Sequence, residues 1–458
     1  MQNNIIVNKL PDTISFVNHA SIFIKSNNVR LLSDPWYFGD AFNRGWDLLY
    51  ENPFEQILDL INETTHIFIS HEHPDHFSIP FFKKYCTELK SSNIQIIFQE
   101  TRDKRVVRFL RSLNLSVIEA KKNKWLKLDD QVHINIFPIG TLDSAFLLET
   151  SDYFFINTND CELSPLNSQN ILEQQQKKKP TVLLHQFSYA AWRGSSEWME
   201  KAANYKLKKL FQINKTLKAN LLIPFASFIY FSHNENFHLN RNFNDPLKVS
   251  NFLKNSEVSH TFLNIYPKNH IVEKLLNDDT YRKDLNNQAL NFWNSLYKNI
   301  KPKHDTGLDN FSISATIVDN YIIRIKESNN LFLMKFINLI SLNFIFGSSL
   351  IYLKDRHETY LLSYKCLKKI KNNRGDCDIE ISSDSFLLMV TQPYGLDTLS
   401  VNGRLKEIKK NGFRNFVYSM GFLTLNSSDY GVRFQDILNP DLLRRLISIP
   451  IRILLKNN

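Results

Sequence analysis

Glycine is scarce: 12 of 458 residues, about 2.6 %, where an average chain carries roughly 7 %. No two glycines have the spacing of a dinucleotide fingerprint or a phosphate-cradling P-loop, so nucleotide-loop enzymes of those types are excluded. Cysteine is scarcer still. Cys86, Cys161, Cys366 and Cys377 form no C-x-x-C pair and no zinc-finger spacing with the 13 histidines. That usage suits a reducing compartment, and residues 1–12 lack the apolar stretch of a secretory signal, so a cytoplasmic location is expected. There is no G-x-S-x-G nucleophile elbow and no kinase signature. The one long charge-free run, 336–353, contains Asn338, Ser341, Asn343, Ser348 and Ser349. It therefore reads as buried core elements rather than a membrane span.

Apolar residues make up 43 % and aromatics 13 %, which is ample for real cores. The net charge of +10 is spread along the chain. It fits an anionic small molecule or a negative membrane surface and gives no nucleic-acid signature. The basic, apolar tail 442–458 reads as a packed terminal helix broken at Pro450, with an interfacial membrane contact as the alternative.

Short strand signals at 13–17, 21–25, 29–33 and 65–70 are followed by alternating helix and strand. Helices are expected at 79–89 and 103–113 and near 195–218; strands at 94–99, 115–119, 132–137, 145–149, 153–157, 181–185 and 221–225. This order predicts a layered α/β domain over 1–300. The polar, apolar-poor stretch 301–310 reads as a linker, and 301–458 as an accessory α+β domain with strands at 311–326, 378–392 and 398–405.

The chemistry is concentrated at 71–76, His-Glu-His-Pro-Asp-His, directly after a buried strand. A loop at a sheet edge lets side chains splay to two sides. His71 and His73 can face one metal while Asp75 and His76 face a second, and two metals sharing a hydroxide can polarise a substrate oxygen.

This H-x-H-x-D-H run resembles the signature of the metallo-β-lactamase superfamily. Asn18-His19-Ala20-Ser21 and Asp34-Pro35 resemble its opening hairpin. Within the superfamily these segments are similar to the branch of ascorbate-6-phosphate lactonase, N-acylphosphatidylethanolamine phospholipase D and the metal-binding part of CMP-N-acetylneuraminate hydroxylase. The loop 34–46 and the later Asn-Thr-Asn-Asp-Cys at 157–161 look most like the hydroxylase. The resemblance covers about 13–240. It implies a four-layer αββα sandwich and a metallohydrolase working through a metal-bound hydroxide at two divalent ions, zinc ahead of iron.

The resemblance also implies further ligands. Asp160 matches the bridging aspartate at a hairpin end. The only histidine between 76 and 160 is His133, inside a strand pattern, whereas Asp143 lies nearer the expected place. Two histidines with that carboxylate would suit non-haem iron. The last histidine is His233 or His185, with His233 preferred. Asp75 is expected to share in proton transfer, and His19 to act beside the metals, on substrate or on a ligand, rather than to bind them. Trp36, Asn43, Arg44 and Arg193 are candidates for an anionic sugar-, nucleotide- or lipid-phosphate-like substrate.

An iron-dependent hydroxylase is the alternative reading. The iron–sulfur domain carried by the hydroxylase relatives is not expected here: residues before 13 leave no room for it, and no matching Cys/His pairs follow. Asparagine stands at 18 and 159, before His19 and Asp160, where relatives commonly have glycine. Left-handed backbone is therefore expected at one or both asparagines.

Overall fold

A computed structural model describes residues 10–140, 142–175, 178–190, 196–305 and 312–437. Statements below about counts and absences concern these residues. The tail 442–458, Arg193 and residues 306–311 lie outside them.

Two sheets form the middle of the N-terminal part. The first has seven strands in the order His270–Ile271, Thr13–Asn18, Ser21–Ser26, Val29–Ser33, His66–Ile69, Gln95–Gln99, Ser116–Ala120. The second has six, in the order Leu221–Phe225, Thr181–Gln186, Phe154–Asn157, Asp143–Glu149, His133–Ile139, Trp125–Lys127. Side chains alternate across the first sheet, as strand geometry requires. Val17, Phe23, Leu32, Ile67 and Ile69 pack outward with Ile57, Leu60 and Phe81 of the covering helices. Phe16, Ile22, Ile24, Leu31 and Phe68 face inward, in one core with Phe146, Leu148 and Ile156 of the second sheet. The Phe68 and Phe146 rings meet edge-on at 5.0 Å. With helices Ser196–Leu217 and Asp279–Tyr297 also contributing to that core, the result is an αββα sandwich.

The C-terminal region has a five-stranded sheet, Leu367–Ile370, Glu358–Ser363, Ser348–Leu353, Ile379–Ile381, Leu405–Glu407, with helices around it. Three expected strands there are largely helical. Residues 311–326 contain Ala315–Ser328, a helix capped by Ser314 accepting from the Ile317 amide. Residues 378–392 are the short strand Ile379–Ile381 and the helix Ser383–Thr391, and 398–405 belongs mostly to the helix Gly395–Asn402. The β-branched content of 315–325 suggests strand, but Tyr321 and Ile325 are the buried positions, four apart on one helical face.

Of residues 336–353, the strand Ser348–Leu353 buries Ser349, Ile351 and Leu353 as expected, whereas the part before it is largely exposed. The helix Leu331–Ile340 is mostly apolar, with Lys335 exposed, and buries only Leu333, Met334 and Asn338. Leu339 and Leu342 are 71 % and 89 % exposed.

The two regions share a core. Trp36, Phe42, Trp46 and Phe231 pack in one cluster with Leu353, Phe386 and Leu399. A polar seam runs beside it. Arg404, 1 % exposed, donates to Glu235 at 2.7 Å, to Asp384 at 2.7 Å and to the Asn43 carbonyl at 2.9 Å. Gly45 is required at this seam, since a Cβ there would stand 2.4 Å from that of Asn402.

Candidate metal centre

The strand His66–Ile69 delivers Ser70 and the 71–76 loop to the C-terminal edge of the parallel part of the first sheet. Asp34, at the end of the neighbouring strand Val29–Ser33, braces this loop. Its Oδ1 accepts from the Ser70 amide at 2.7 Å, and its Oδ2 from Ser70 Oγ at 2.8 Å. Oδ2 also lies 2.9 Å from His76 Nδ1. A carboxylate can only accept, so His76 donates from Nδ1 and turns Nε2 into the site.

Two clusters of ligand-type atoms result. His71, His76 and Asp160 form one, and His19, Asp75 and His76 the other, with all atoms of each within 4.8 Å. Asp160 Oδ1 is 3.8 Å from His76 Nε2, and its Oδ2 is 3.9 Å from His71 Nε2, so this one carboxylate faces both histidines. His71 Nε2 is 2.8 Å from His73 Nδ1. Two ring nitrogens that close must share a proton or turn both lone pairs to a cation. His19 Nε2 is 3.2 Å from Asp75 Oδ2.

Burial lowers the pKa of His71, His73 and His19, although Asp75 opposes it at His19. Neutral imidazole is the form that binds metal. At His76 burial acts the same way, but Asp75, Asp160 and Asp34 outweigh it and raise its pKa well above the usual imidazole value. Burial pushes Asp75 up, and His76 and His19 override it, so its carboxyl lies well below the usual range. The site thus gathers three carboxylates, Asp34, Asp75 and Asp160, around one imidazole. Its buried His76 Nε2, Asp75 Oδ1 and Asp160 Oδ1 have no hydrogen-bond partner. Orphaned buried polar atoms of this kind, converging from both sheets, fit a metal-ligand shell.

The other candidates divide. Asp143 starts the strand Asp143–Glu149 and is among the charges acting on His73. His133 begins the neighbouring strand, as a sheet residue. His185 ends near Asp160 because Thr181–Gln186 runs parallel to Phe154–Asn157, with Leu184 opposite Asn157. Thr158 Oγ1 bonds its Nδ1 at 2.7 Å, and burial, then Lys206, brings its pKa to about 3. His233, the preferred last ligand, is not brought to the cluster. The short strand Ile229–Phe231 pairs with Trp46–Leu48 and carries it to the interdomain seam. There its Nδ1 accepts from the Glu235 amide at 3.1 Å, with Arg404 and Asp384 nearby.

Trp36 is buried, edge-on to His19 at 5.5 Å. Arg44 pairs with Asp384 at 3.1 Å, and Asn43 lines a cleft beside His73. Asn159 has φ of +46°, as expected; in the opening hairpin the left-handed residue is His19 itself, at +33°, and not Asn18. Sequence reasoning did not single out Ser70 or Thr158, whose hydroxyls orient histidines, or the Glu72–Arg105 pair at 2.7 Å. Nothing in their spacing marks them.

A metal-binding αββα sandwich with an H-x-H-x-D-H loop at its sheet edge is the architecture of metallo-β-lactamase-fold enzymes. Residues 13–180 match the family described as Beta-lactamase superfamily domain. The match covers this N-terminal domain, and over it the chain is similar to the branch of cytidine monophosphate-N-acetylneuraminic acid hydroxylase. It is 26 % identical to that hydroxylase from Macaca mulatta over 270 residues, covering 54 % of this chain and 43 % of the hydroxylase. It is 27 % identical to the one from Danio rerio over 240 residues, 48 % and 39 %. The chain thus spans less than half the length of these relatives. Among solved structures, Igni18, a metallo hydrolase from Ignicoccus hospitalis, is similar at 14 % identity and TM-score 0.40, over 57 % of this chain and 98 % of Igni18. CmlA, a diiron β-hydroxylase from Streptomyces venezuelae, is similar at 12 % identity and TM-score 0.40, over 57 % and 54 %. No helix of the described residues is long and apolar enough to cross a membrane.

Proposed function

We propose that the chain is a dinuclear metal-dependent hydrolase acting on an ester, amide, lactone or phosphodiester bond. The observation that carries this reading is the convergence of His71, Asp75, His76 and Asp160, with His73 against His71, three of their buried atoms having no hydrogen-bond partner. His71, His73, Asp143 and Asp160 would hold one ion. Asp75, His76, His19 and Asp160 would hold the other, with His185 beside them. When bound, two divalent ions would acidify a water molecule and polarise the substrate oxygen.

The chain's own residues do the rest. Asp34 and Ser70 fix the His76 ring, and Thr158 fixes His185. Burial of His71, Asp75 and His76 excludes bulk water from the ligand side. Asp75 Oδ2, within 3.2 Å of His19 and 3.4 Å of His76, is placed to share in proton transfer between those two rings. The positive net charge supports a substrate with an anionic group.

Two observations favour a second reading, iron-dependent hydroxylation. Asp143 acts on His73 where a further histidine would suit zinc, and the curated relatives are named as hydroxylases. Metal content of protein purified without added metal, read with its absorption spectrum, separates the two. Two zinc ions and a colourless sample support hydrolysis. Two irons with oxygen-dependent turnover support the hydroxylase, and binding of neither metal overturns both.

A further inference from the structure

A cleft of about 540 Å³ opens beside His73, between the metal loop and the C-terminal region. Phe42, Phe77, Ile79 and Phe109 line one side; Leu388, on the helix Ser383–Thr391, and Tyr394, which precedes the helix Gly395–Asn402, line the other. The Phe42 ring stands edge-on to His73 at 5.6 Å. Ile79 and Tyr394 are exposed large apolar residues. Arg105 is the only Lys or Arg among the lining residues, and it is engaged. It donates to Glu72 at 2.7 and 3.0 Å and to Asp103 at 2.7 Å. Asp40, Glu72 and Asp397 also line the cleft. An anionic group entering it would meet three carboxylates and no uncommitted cation, whereas an apolar group would meet aromatic and aliphatic walls.

We infer that this cleft binds the apolar part of the substrate, an acyl or aryl group, and that the C-terminal region serves the reaction by closing its far wall. The inference rests on the metal-site reading for the word substrate: His73 belongs to both the ligand loop and the cleft. Any anionic group of the substrate would then lie outside the cleft.

Two measurements on the full chain test it. The first reads the cleft alone, by fluorescence of the neutral apolar probe N-phenyl-1-naphthylamine with metal-free protein. The wild type is expected to bind it, and Leu388→Asp and Tyr394→Asp to weaken binding at least tenfold with unchanged thermal melting. Tyr394, half-exposed, can be changed without disturbing a core. The second reads the link to the metals, with zinc-loaded protein and two chelating ligands, acetohydroxamate and octanohydroxamate. The longer chain is expected to bind at least tenfold tighter, and this gain to fall below threefold in both variants while acetohydroxamate affinity holds. Absence of probe binding, or probe binding indifferent to both variants, overturns the cleft. Equal affinity for the two hydroxamates overturns its connection to the metals. Failure of acetohydroxamate to bind zinc-loaded protein, with the probe still bound, overturns the metal-site reading and with it the assignment to substrate.

Discussion

Replacing Asp34 by asparagine tests how the second metal position is built. The carboxylate serves three donors with two oxygens: the Ser70 amide on Oδ1, and Ser70 Oγ and His76 Nδ1 on Oδ2. An asparagine has one acceptor oxygen. If that oxygen keeps the Ser70 amide, the new NH₂ faces His76 Nδ1. The ring must then accept there and carry its proton on Nε2, the nitrogen that points into the site. If the amide flips, the Ser70 backbone donor is orphaned instead. Either way one charge-assisted hydrogen bond, worth about 1.5–3 kcal/mol, is lost. In the first arrangement the loss falls on metal binding, a tenfold to hundredfold drop, as is general for partners of ligating histidines. In the second it falls on folding, by about the cost of one unsatisfied buried donor, roughly 1–3 kcal/mol. Zinc affinity by chelator competition, with stoichiometry by mass spectrometry and a urea melt of the metal-free protein, reads both. The expected result is two ions bound, one of them at least tenfold weaker. If Asp34→Asn leaves both affinities and the urea midpoint unchanged, the bracing role argued for Asp34 is wrong.

His73→Ala is expected to lower metal occupancy sharply, and unchanged occupancy would remove the 71–76 loop as the metal site; Asp143→Ala should weaken the same ion if its carboxylate is a ligand. Burial, then Lys268, holds His270 at about 4, below its unfolded value of about 6.5. The unfolded chain therefore binds the extra proton between those values, so metal-free stability falls as pH drops from about 6.5 to 4, and His270→Gln should flatten part of that slope in urea melts. Arg404→Met strands Glu235 and Asp384 at the seam; because Lys354 still holds Glu235 at 2.7 Å and Asp384 is partly exposed, the loss should sit at the low end for a broken buried pair, about 3 kcal/mol by denaturant unfolding. His19→Gly should be more stable than His19→Ala by about 1 kcal/mol, since only glycine adopts the left-handed backbone freely, while both lose metal alike; equal stabilities would argue against the φ of +33°.

What could be read from the sequence follows how local each feature is. The 71–76 loop was legible because its ligands are neighbours in the chain and follow an apolar strand. Asp160 was legible because a hairpin strand precedes it. Helices 315–328 and 383–391 were misread because β-branched and apolar density outweighed their three-to-four spacing, and because Ser314 becomes a helix cap only once the first turn forms. The choice between His185 and His233 could not be settled by pattern, since both follow buried strands. It turns on pairing: parallel register sets Leu184 against Asn157 and so brings His185 beside Asp160, while pairing with Trp46–Leu48 draws His233 away. Leu388 and Tyr394 gave no signal, because their place on the cleft exists only after two regions dock.

His19 shows the same limit in one residue. The glycine shortage correctly pointed to strained turns beside the ligands, and Asn159 fulfils it. At the opening hairpin, however, Asn18 donates from its side chain to the Tyr50 carbonyl and to Asn52 Oδ1, and accepts from the His19 amide through Oδ1. Those bonds hold Asn18 in the strand Thr13–Asn18, so the chain must reverse one residue later, at the histidine. A left-handed residue other than glycine or asparagine costs about 1–2 kcal/mol, and glycine would remove that cost. The chain meets the same cost elsewhere, at Lys104 and Ala226 for example, but at 19 it falls on an imidazole inside the ligand cluster. Its burial beside Asp75 and His76, at 3 % exposure, makes metal binding the use that best matches where the strain is spent.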